Sequence, residues 1–328
     1  MKVSVIVPCF REEQNIQTCL GSLIAQDYQD SYEILVVDND SPDRTPFIIR
    51  EMQKKSPKIR LIVEEKRGTA AGRNTGIRNA RYEHIVFIDA DCAAPPDWLS
   101  ILVRNYQWAK SNGDGVIGVG GRNIAPREAP PFVKAIEIVL DSYAGSFRSI
   151  QGRQFKTQNY VPSLSLTNAL YEREKIVEAG GFDESLRSEA EDADLNHRLL
   201  AGGGKFLYVP DSFVWHNMRP SPKSWFRNMF RYGKGRARLL KRHPSMRKPF
   251  YLLPVLFLPA MLSVSLVCVS PIFVLPLLYF PFLAGLSCVQ SIKHRSPNLL
   301  HLILVVYVIQ HFGYASGEIY GLLHPKVC

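Results

Sequence analysis

From Tyr251 to Ile292 the chain carries no Asp, Glu, Lys or Arg. About twenty apolar residues suffice to cross a bilayer as a helix, so a charge-free run of some forty has two environments open to it, a membrane or the interior of a large helical core. What precedes the run favours the membrane. Residues 223–248 hold about ten Lys and Arg and no acid, which accounts for the whole formal net charge of +10 in the 328-residue chain. Such a cluster beside an apolar run marks the cytoplasmic side of a membrane segment. Residues 250–268 and 272–290 are therefore expected to form a membrane hairpin, with Ser270 and Pro271 at its turn and Lys293, His294 and Arg295 returning the chain to the basic side. Residues 299–323 form a third apolar segment, which His301, His311 and Glu318 leave open between spanning and lying at the interface. Polar groups are costly in lipid, so these three are expected to face another helix or a lipid head group.

Within the basic cluster, Trp225, Phe226, Met229, Phe230 and Tyr232 interleave with Arg227, Arg231 and Lys234, as expected of a helix lying on an anionic membrane surface. Nucleic acid is the rival partner for such a patch, and the adjoining apolar run makes membrane lipid the better one. At the other end, KVSVIVPCF meets Arg11, Glu12 and Glu13 too soon for a signal peptide, so the first domain is expected to remain in the cytoplasm. Six cysteines, at 9, 19, 92, 268, 288 and 328, show no CxxC spacing. That usage suits a reducing compartment and gives neither a disulfide framework nor a zinc signature.

The first hundred residues alternate strand-like and helix-like runs. Residues 2–8, 32–38, 59–63 and 84–89 are rich in β-branched and aromatic residues; 12–26, 43–54 and 69–81 are the helices between them, and a fourth helix opens at Asp97 and Trp98. Four strands alternating with four helices predict an α/β fold with a doubly wound, mostly parallel sheet. A Rossmann oxidoreductase would need GxGxxG in the first turn, where this chain has Pro8, Cys9, Phe10, Arg11 and Glu12. Further on, 115–122 reads as a strand, 131–143 as a helix, 151–166 as a loop and strand over the active face, 174–179 as a short helix and 205–210 as a strand.

The run HIVFIDAD, 84–91, would deliver Asp89 and Asp91 to the C-terminal edge of such a sheet, where ligands of open α/β sheets gather. Two carboxylates there can hold Mg2+ or Mn2+ against a diphosphate, or one of them can merely cap the next helix. In SEAEDADLNHRLLAGGG, Ser188 and Glu191 fit a capping box, while Asp192 is not needed for the cap. A carboxylate beside a helix N-terminus is favoured in its ionised form, which suits a proton acceptor. His216 follows a strand; a lone His is more often structural than a metal ligand, and this one is placed where it can reach the cation.

Taken in order, VPCFREE, VVDNDSPDRT, KRGTAAGRNTGI, FIDADC, the TNAL and EAGGFDE segments and EDADLNHRL resemble a family 2 glycosyltransferase of the GT-A fold over about the first 235 residues. The resemblance implies an inverting enzyme that transfers a sugar from a nucleotide diphosphate donor with a divalent metal. Pro8 and Glu12 then match the loop lining the nucleotide, and Asp38 the acid that contacts base or ribose. Asn39 and Asp40 stand where the family often has Asp-Gly. Arg73 and Asn74 match the basic motif near the donor, Asp89 and Asp91 the DxD with Asp91 on the metal beside His216, and Asp192 the general base. Asn168, Glu191 and Arg231 are the candidate contacts to acceptor or sugar.

The domain division expected is 1–220 catalytic, 221–249 basic and interfacial, and 250–328 membrane-embedded with two or three helices. The QxxRW motif of processive polysaccharide synthases is not evident, so addition of one sugar to a lipid-linked acceptor is favoured. An ionised polyprenyl phosphate acceptor would need no base, and the acid at 192 tilts the choice towards a hydroxyl. A polyprenyl-phosphate glycosyltransferase and a non-catalytic membrane scaffold with the same fold stay open as alternatives.

Overall fold

The computed structural model describes residues 1–146, 152–186, 188–218 and 220–324, in two compact units. The first comprises the described residues of 1–126 and 148–217, the second those of 127–147 and 218–328.

In chain order the first unit runs β1 (Val3–Cys9), α1 (Ile16–Ile24), β2 (Tyr32–Asp38), α2 (Thr45–Lys55), β3 (Ile59–Val63), α3 (Thr69–Asn79), β4 (His84–Phe87), β5 (Cys92–Ala93), α4 (Trp98–Ser111) and β6 (Val116–Ile124). Helices α5 (Pro131–Leu140) and α6 (Tyr143–Ser146) belong to the second unit. The first then resumes with β7 (Asn159–Val161), β8 (Ala169–Glu172), α7 (Arg173–Glu178), α8 (Glu191–Ala201) and β9 (Lys205–His216).

The strands form one sheet in the order β3-β2-β1-β4-β8-β6-β9-β5, with β7 on β9. β3, β2, β1 and β4 are parallel, as the alternation of elements requires; β8 runs antiparallel to both β4 and β6. Every residue of β1 and β2 is buried, the mark of strands covered on both faces. Val3, Val5 and Val7 pack with α1 and α4 on one side, and Ile6, Leu35 and Val37 with α3 and α8 on the other. Gly76 lets α3 lie directly on β1, since a Cβ there would strike Ile6. Pro8 sits where pairing of β1 to β4 has already ended at Ile6, so its missing N–H costs no hydrogen bond on that side.

The second unit also contains α9 (Pro222–Arg242), α10 (Leu253–Ser263), α11 (Tyr279–Lys293) and α12 (Leu300–Leu323). Ser221 caps α9 through a reciprocal box with Ser224, and Pro222 takes the first helical position. Gly233 on α9 and Gly313, Gly317 and Gly321 on α12 allow the two backbones to touch; a Cβ at Gly317 would overlap the Phe230 carbonyl. Trp225 and Met229 are therefore buried, so the aromatic face expected to meet lipid is partly covered by protein, while Phe226 is exposed.

Among the described residues, two helices are long and apolar enough to cross a membrane, Pro271–Lys293 and Pro297–Leu323, with a shorter apolar helix over Leu253–Leu266. The expected hairpin differs accordingly. Its turn at Ser270 is where a helix starts, but the first arm contains Pro259 and reaches only Leu266, about 21 Å at 1.5 Å per residue against a hydrocarbon core of about 30 Å. The third segment has the length. Three of its polar residues face protein: the His311 ring lies 3.0 Å from Tyr279 Oη and 3.0 Å from the Ala144 carbonyl, Tyr307 donates to Ser142 at 2.7 Å, and Glu318 is fully buried. His301, at the start of α12, is exposed.

Candidate active site

Because β1, β2 and β4 run parallel, their C-terminal ends open on one edge. Asp38 ends β2, buried, and accepts from Ser41 Oγ at 2.6 Å, Ser41 N at 3.1 Å and Cys9 Sγ at 3.6 Å. Asn39 is spent on the loop after β3, donating to the Lys66 carbonyl at 2.8 Å. The first turn is held to the same region: Arg11, at φ 59°, donates its N–H to Ser41 Oγ (2.9 Å), and Glu12 donates its N–H to Thr45 Oγ1 (2.8 Å) while its carboxylate accepts from Asn15 (2.8 Å).

At the end of β4 the strand stops at Phe87, and Asp89 and Asp91 stand on the connection beyond it. They go to different partners. Asp89 Oδ1 accepts from Arg73 Nη2 at 2.9 Å, and the same guanidinium donates through Nη1 to Glu191 Oε1 at 2.8 Å. Arg73 is 3% exposed, and its Nε makes no hydrogen bond among the described residues. Asp91 Oδ2 lies 3.5 Å from His216 Nε2, and Asp91 Oδ1 accepts from Cys92 Sγ at 3.7 Å. The antiparallel pairing of β5 with β9 sets Cys92 directly opposite His216.

Glu191 and Asp192 open α8, but without the expected capping box. Ala190 enters the helix in the left-handed conformation at φ 67°, and Ser188 Oγ instead accepts from Thr69 N at 3.1 Å, tying the start of α3 to the turn before α8. That tie brings the acids over Arg73. Burial pushes the Glu191 carboxyl up to about 7 and raises Asp192 as well. Arg73 pulls both down and does not prevail, because one guanidinium is shared with Asp89. At Asp192 desolvation raises the proton affinity against the expected pull of the helix start and of Arg73.

Two expected ligand contacts are engaged by the fold. Asn74 donates to the Phe182 carbonyl and Glu184 at 2.9 Å each and accepts from Phe182 N at 2.9 Å. Asn168 accepts from Trp98 Nε1 (2.8 Å) and Ser212 Oγ (2.9 Å) and donates to the Arg122 carbonyl (3.2 Å). Arg231 lies in the second unit, on α9, where it donates to Asn228 at 2.7 Å. Sequence reasoning passed over the thiols: Cys9 meets Asp38, Cys19 donates to the Asp89 carbonyl at 3.7 Å, and Cys92 meets Asp91. Their spacing carries no signal, because the Cys9 and Cys19 contacts are made across the sheet edge and Cys92, next to Asp91 in the chain, is set opposite His216 only by strand pairing. Cys328 is outside the described residues.

The family model for glycosyl transferase family 2 matches residues 4–178, more than half of the chain. The chain belongs to that family. Among the relatives of this glycosyltransferase are glycosyltransferase AglE of Haloferax volcanii, 31% identical over 76% of this chain and 78% of that protein, and a dolichyl N-acetyl-alpha-D-glucosaminyl phosphate 3-beta-D-2,3-diacetamido-2,3-dideoxy-beta-D-glucuronosyltransferase of Methanococcus voltae, 27% identical over 80% of each. Among solved structures, the mannosyltransferase PcManGT of Pyrobaculum calidifontis, in complex with GDP-Man and Mn2+, matches with a TM-score of 0.62 at 22% identity over 99% of this chain and 87% of that one. The fold is GT-A. For the glycosyltransferase, the arrangement supplies a buried cation with a spare donor, acids at a helix start, and a carboxylate with an imidazole at the sheet edge.

Proposed function

We propose that this glycosyltransferase is a membrane-anchored, inverting enzyme that moves one sugar from a nucleoside diphosphate sugar to a lipid-linked acceptor on the cytoplasmic face, in glycan or glycolipid assembly. The observation that carries the reading is the Arg73 cluster, a buried guanidinium between Asp89 and Glu191 with Nε left over. A buried donor without an acceptor is costly, and a diphosphate oxygen is the acceptor such a site lacks. Asp38, Pro8 and Glu12 line the nucleotide, and Asp89 turns to the sugar.

Asp192 serves as general base. It is half-buried where Glu191 is buried, so it is the one of the two that an acceptor hydroxyl can reach, and its raised proton affinity makes it a stronger acceptor for that proton than an ordinary carboxylate. Attack opposite the leaving diphosphate inverts the anomeric carbon.

Asp91 and His216 suit a divalent cation: a carboxylate oxygen and an imidazole nitrogen 3.5 Å apart are near the spacing of about 3 Å expected of neighbouring ligands on one ion. When bound, Mn2+ or Mg2+ there offsets the charge that develops on the departing diphosphate. The name of the Methanococcus relative, a dolichyl phosphate-linked sugar as acceptor, supports the lipid-linked acceptor. The two long apolar helices support anchoring, and the basic residues of α9 with Lys293 and Arg295 support a cytoplasmic orientation in contact with anionic lipid.

The test is incubation of membranes containing the full chain with a panel of radiolabelled nucleotide sugars. One donor is expected to label an extractable lipid, with the label lost in Asp192→Asn. Labelling of polyprenyl phosphate itself, undiminished in Asp192→Asn, would replace the hydroxyl acceptor with a phosphate. No labelling, and no nucleotide sugar bound by calorimetry, would leave a scaffold.

A further inference from the structure

Cys92 is 2% exposed and stands at a junction that no spacing rule would find. Its chain neighbour is Asp91, and its cross-strand partner in the β5–β9 ladder is His216. Directly opposed residues of an antiparallel pair project to the same side, with Cβ atoms about 4.5–5.5 Å apart. One donor atom from each residue, a carboxylate oxygen, the thiol sulfur and an imidazole nitrogen, lie within 4.8 Å of one another.

We propose that Cys92 joins Asp91 and His216 as a third protein ligand of the cation, making this an oxygen, sulfur and nitrogen site that selects thiophilic ions such as Co2+ or Zn2+ over Mg2+. The inference rests on the metal reading above and adds to it a ligand and a preference. Binding replaces the S–H bond with an S–metal bond, the thiol proton leaves to solvent, and no electrons are exchanged. Thiolate is a soft donor, which Mg2+ disfavours; carboxylate and imidazole alone would leave the preference to size and geometry.

The experiment uses the full chain in detergent with Cys268, Cys288 and Cys328 changed to Ser, so that no cysteine outside the first unit binds metal. Co2+ is titrated in the presence of UDP and, separately, GDP. The expected result is an intense near-ultraviolet sulfur-to-cobalt charge-transfer band that persists in Cys9→Ser and Cys19→Ser and disappears in Cys92→Ser and Cys92→Ala. Those last two variants should still bind Co2+, about tenfold more weakly, with Mg2+ affinity changed less. Bound Co2+ without the band, or a band that survives Cys92→Ser, overturns Cys92 as a ligand and leaves Asp91 and His216 standing. No Co2+ bound with either nucleotide overturns this inference and the metal reading together. If both Cys92 variants fail to fold by far-ultraviolet circular dichroism, the parent spectrum and its two buried-cysteine controls decide.

Discussion

Asp89 and Asp91 are one residue apart in the chain, yet they stand in opposite electrostatic surroundings. Asp89 is joined to a guanidinium that also serves Glu191, so its charge is compensated by protein. Asp91 meets an imidazole and a thiol. The first arrangement has three carboxyls to one guanidinium, and burial raises the proton affinity of Glu191 and Asp192 by more than Arg73 offsets. The second brings a carboxylate, a thiol and an imidazole within 4.8 Å of one another, the group proposed above to hold a divalent cation. A DxD read as a single motif hides this division: one acid joins the arginine cluster, the other meets the imidazole and thiol proposed above to hold the metal with it.

The comparison breaks most visibly at Asp192. Asp192→Asn removes the proton acceptor while keeping size and hydrogen bonding, so transfer is expected to fall by about a thousandfold, within the range for a lost general base. Nucleoside diphosphate binding by calorimetry should change little, and a matching loss of donor affinity would move Asp192 to the donor. Arg73→Met tests the cluster as a compensated unit. It leaves buried carboxyls without their cation, a change worth about 3–5 kcal/mol against folding. The loss carries a pH signature. A carboxyl whose folded pKa is raised contributes stability at low pH that is lost as pH rises through the folded value; for Glu191 that window runs from 4.5 to about 7, and removing Arg73 extends it upward. The thermal midpoint of Arg73→Met should therefore lie closer to that of the parent at pH 5 than at pH 8. An equal deficit at both would mean that the guanidinium acts by packing alone.

Much of this was legible where local rules govern. β2 and β3 have the bounds read from sequence, because β-branched runs with polar ends leave little choice. β9 runs on to His216, beyond the end expected at Pro210; the proline falls where the register with β6 shifts, between the pairs Gly120–Tyr208 and Arg122–Phe213, and a proline is tolerated at such an irregularity. The capping box at Ser188 failed for a non-local reason, since its hydroxyl is claimed by Thr69 119 residues away in sequence. The approach of Cys92 to His216 is hidden for a like reason: rules for metal ligands look for close spacing along the chain, while this pairing is set by the β5–β9 ladder. Helix α5 reads as an ordinary domain helix, and its apolar face gives no indication that the partner is α12, near the other end of the chain.

On the metal side the effects are smaller and should be separable from folding. Asp91→Asn and His216→Ala are each expected to weaken Mn2+ binding by about 10–100-fold, read by electron paramagnetic resonance of free Mn2+, with little change in thermal midpoint of the metal-free chain. If they instead destabilise the metal-free chain as Arg73→Met does, the contrast between the two acids collapses, because Asp91 would then be a structural partner of His216.

The smallest effect is the most diagnostic of how the cluster shares its charge. Glu191→Gln removes one of the carboxyls competing for Arg73, and with it a negative charge next to Asp192. Both changes favour ionised Asp192, so its pKa falls towards the ordinary carboxylate range. A base works when ionised; the acid limb of kcat/KM is therefore expected to move to lower pH, by less than about one unit, since the helix start and burial remain. The opposite movement would mean that Glu191 is the proton acceptor and that Asp192 positions it. An unmoved limb would uncouple the two acids and leave burial to account for the raised proton affinity at Asp192 without Glu191.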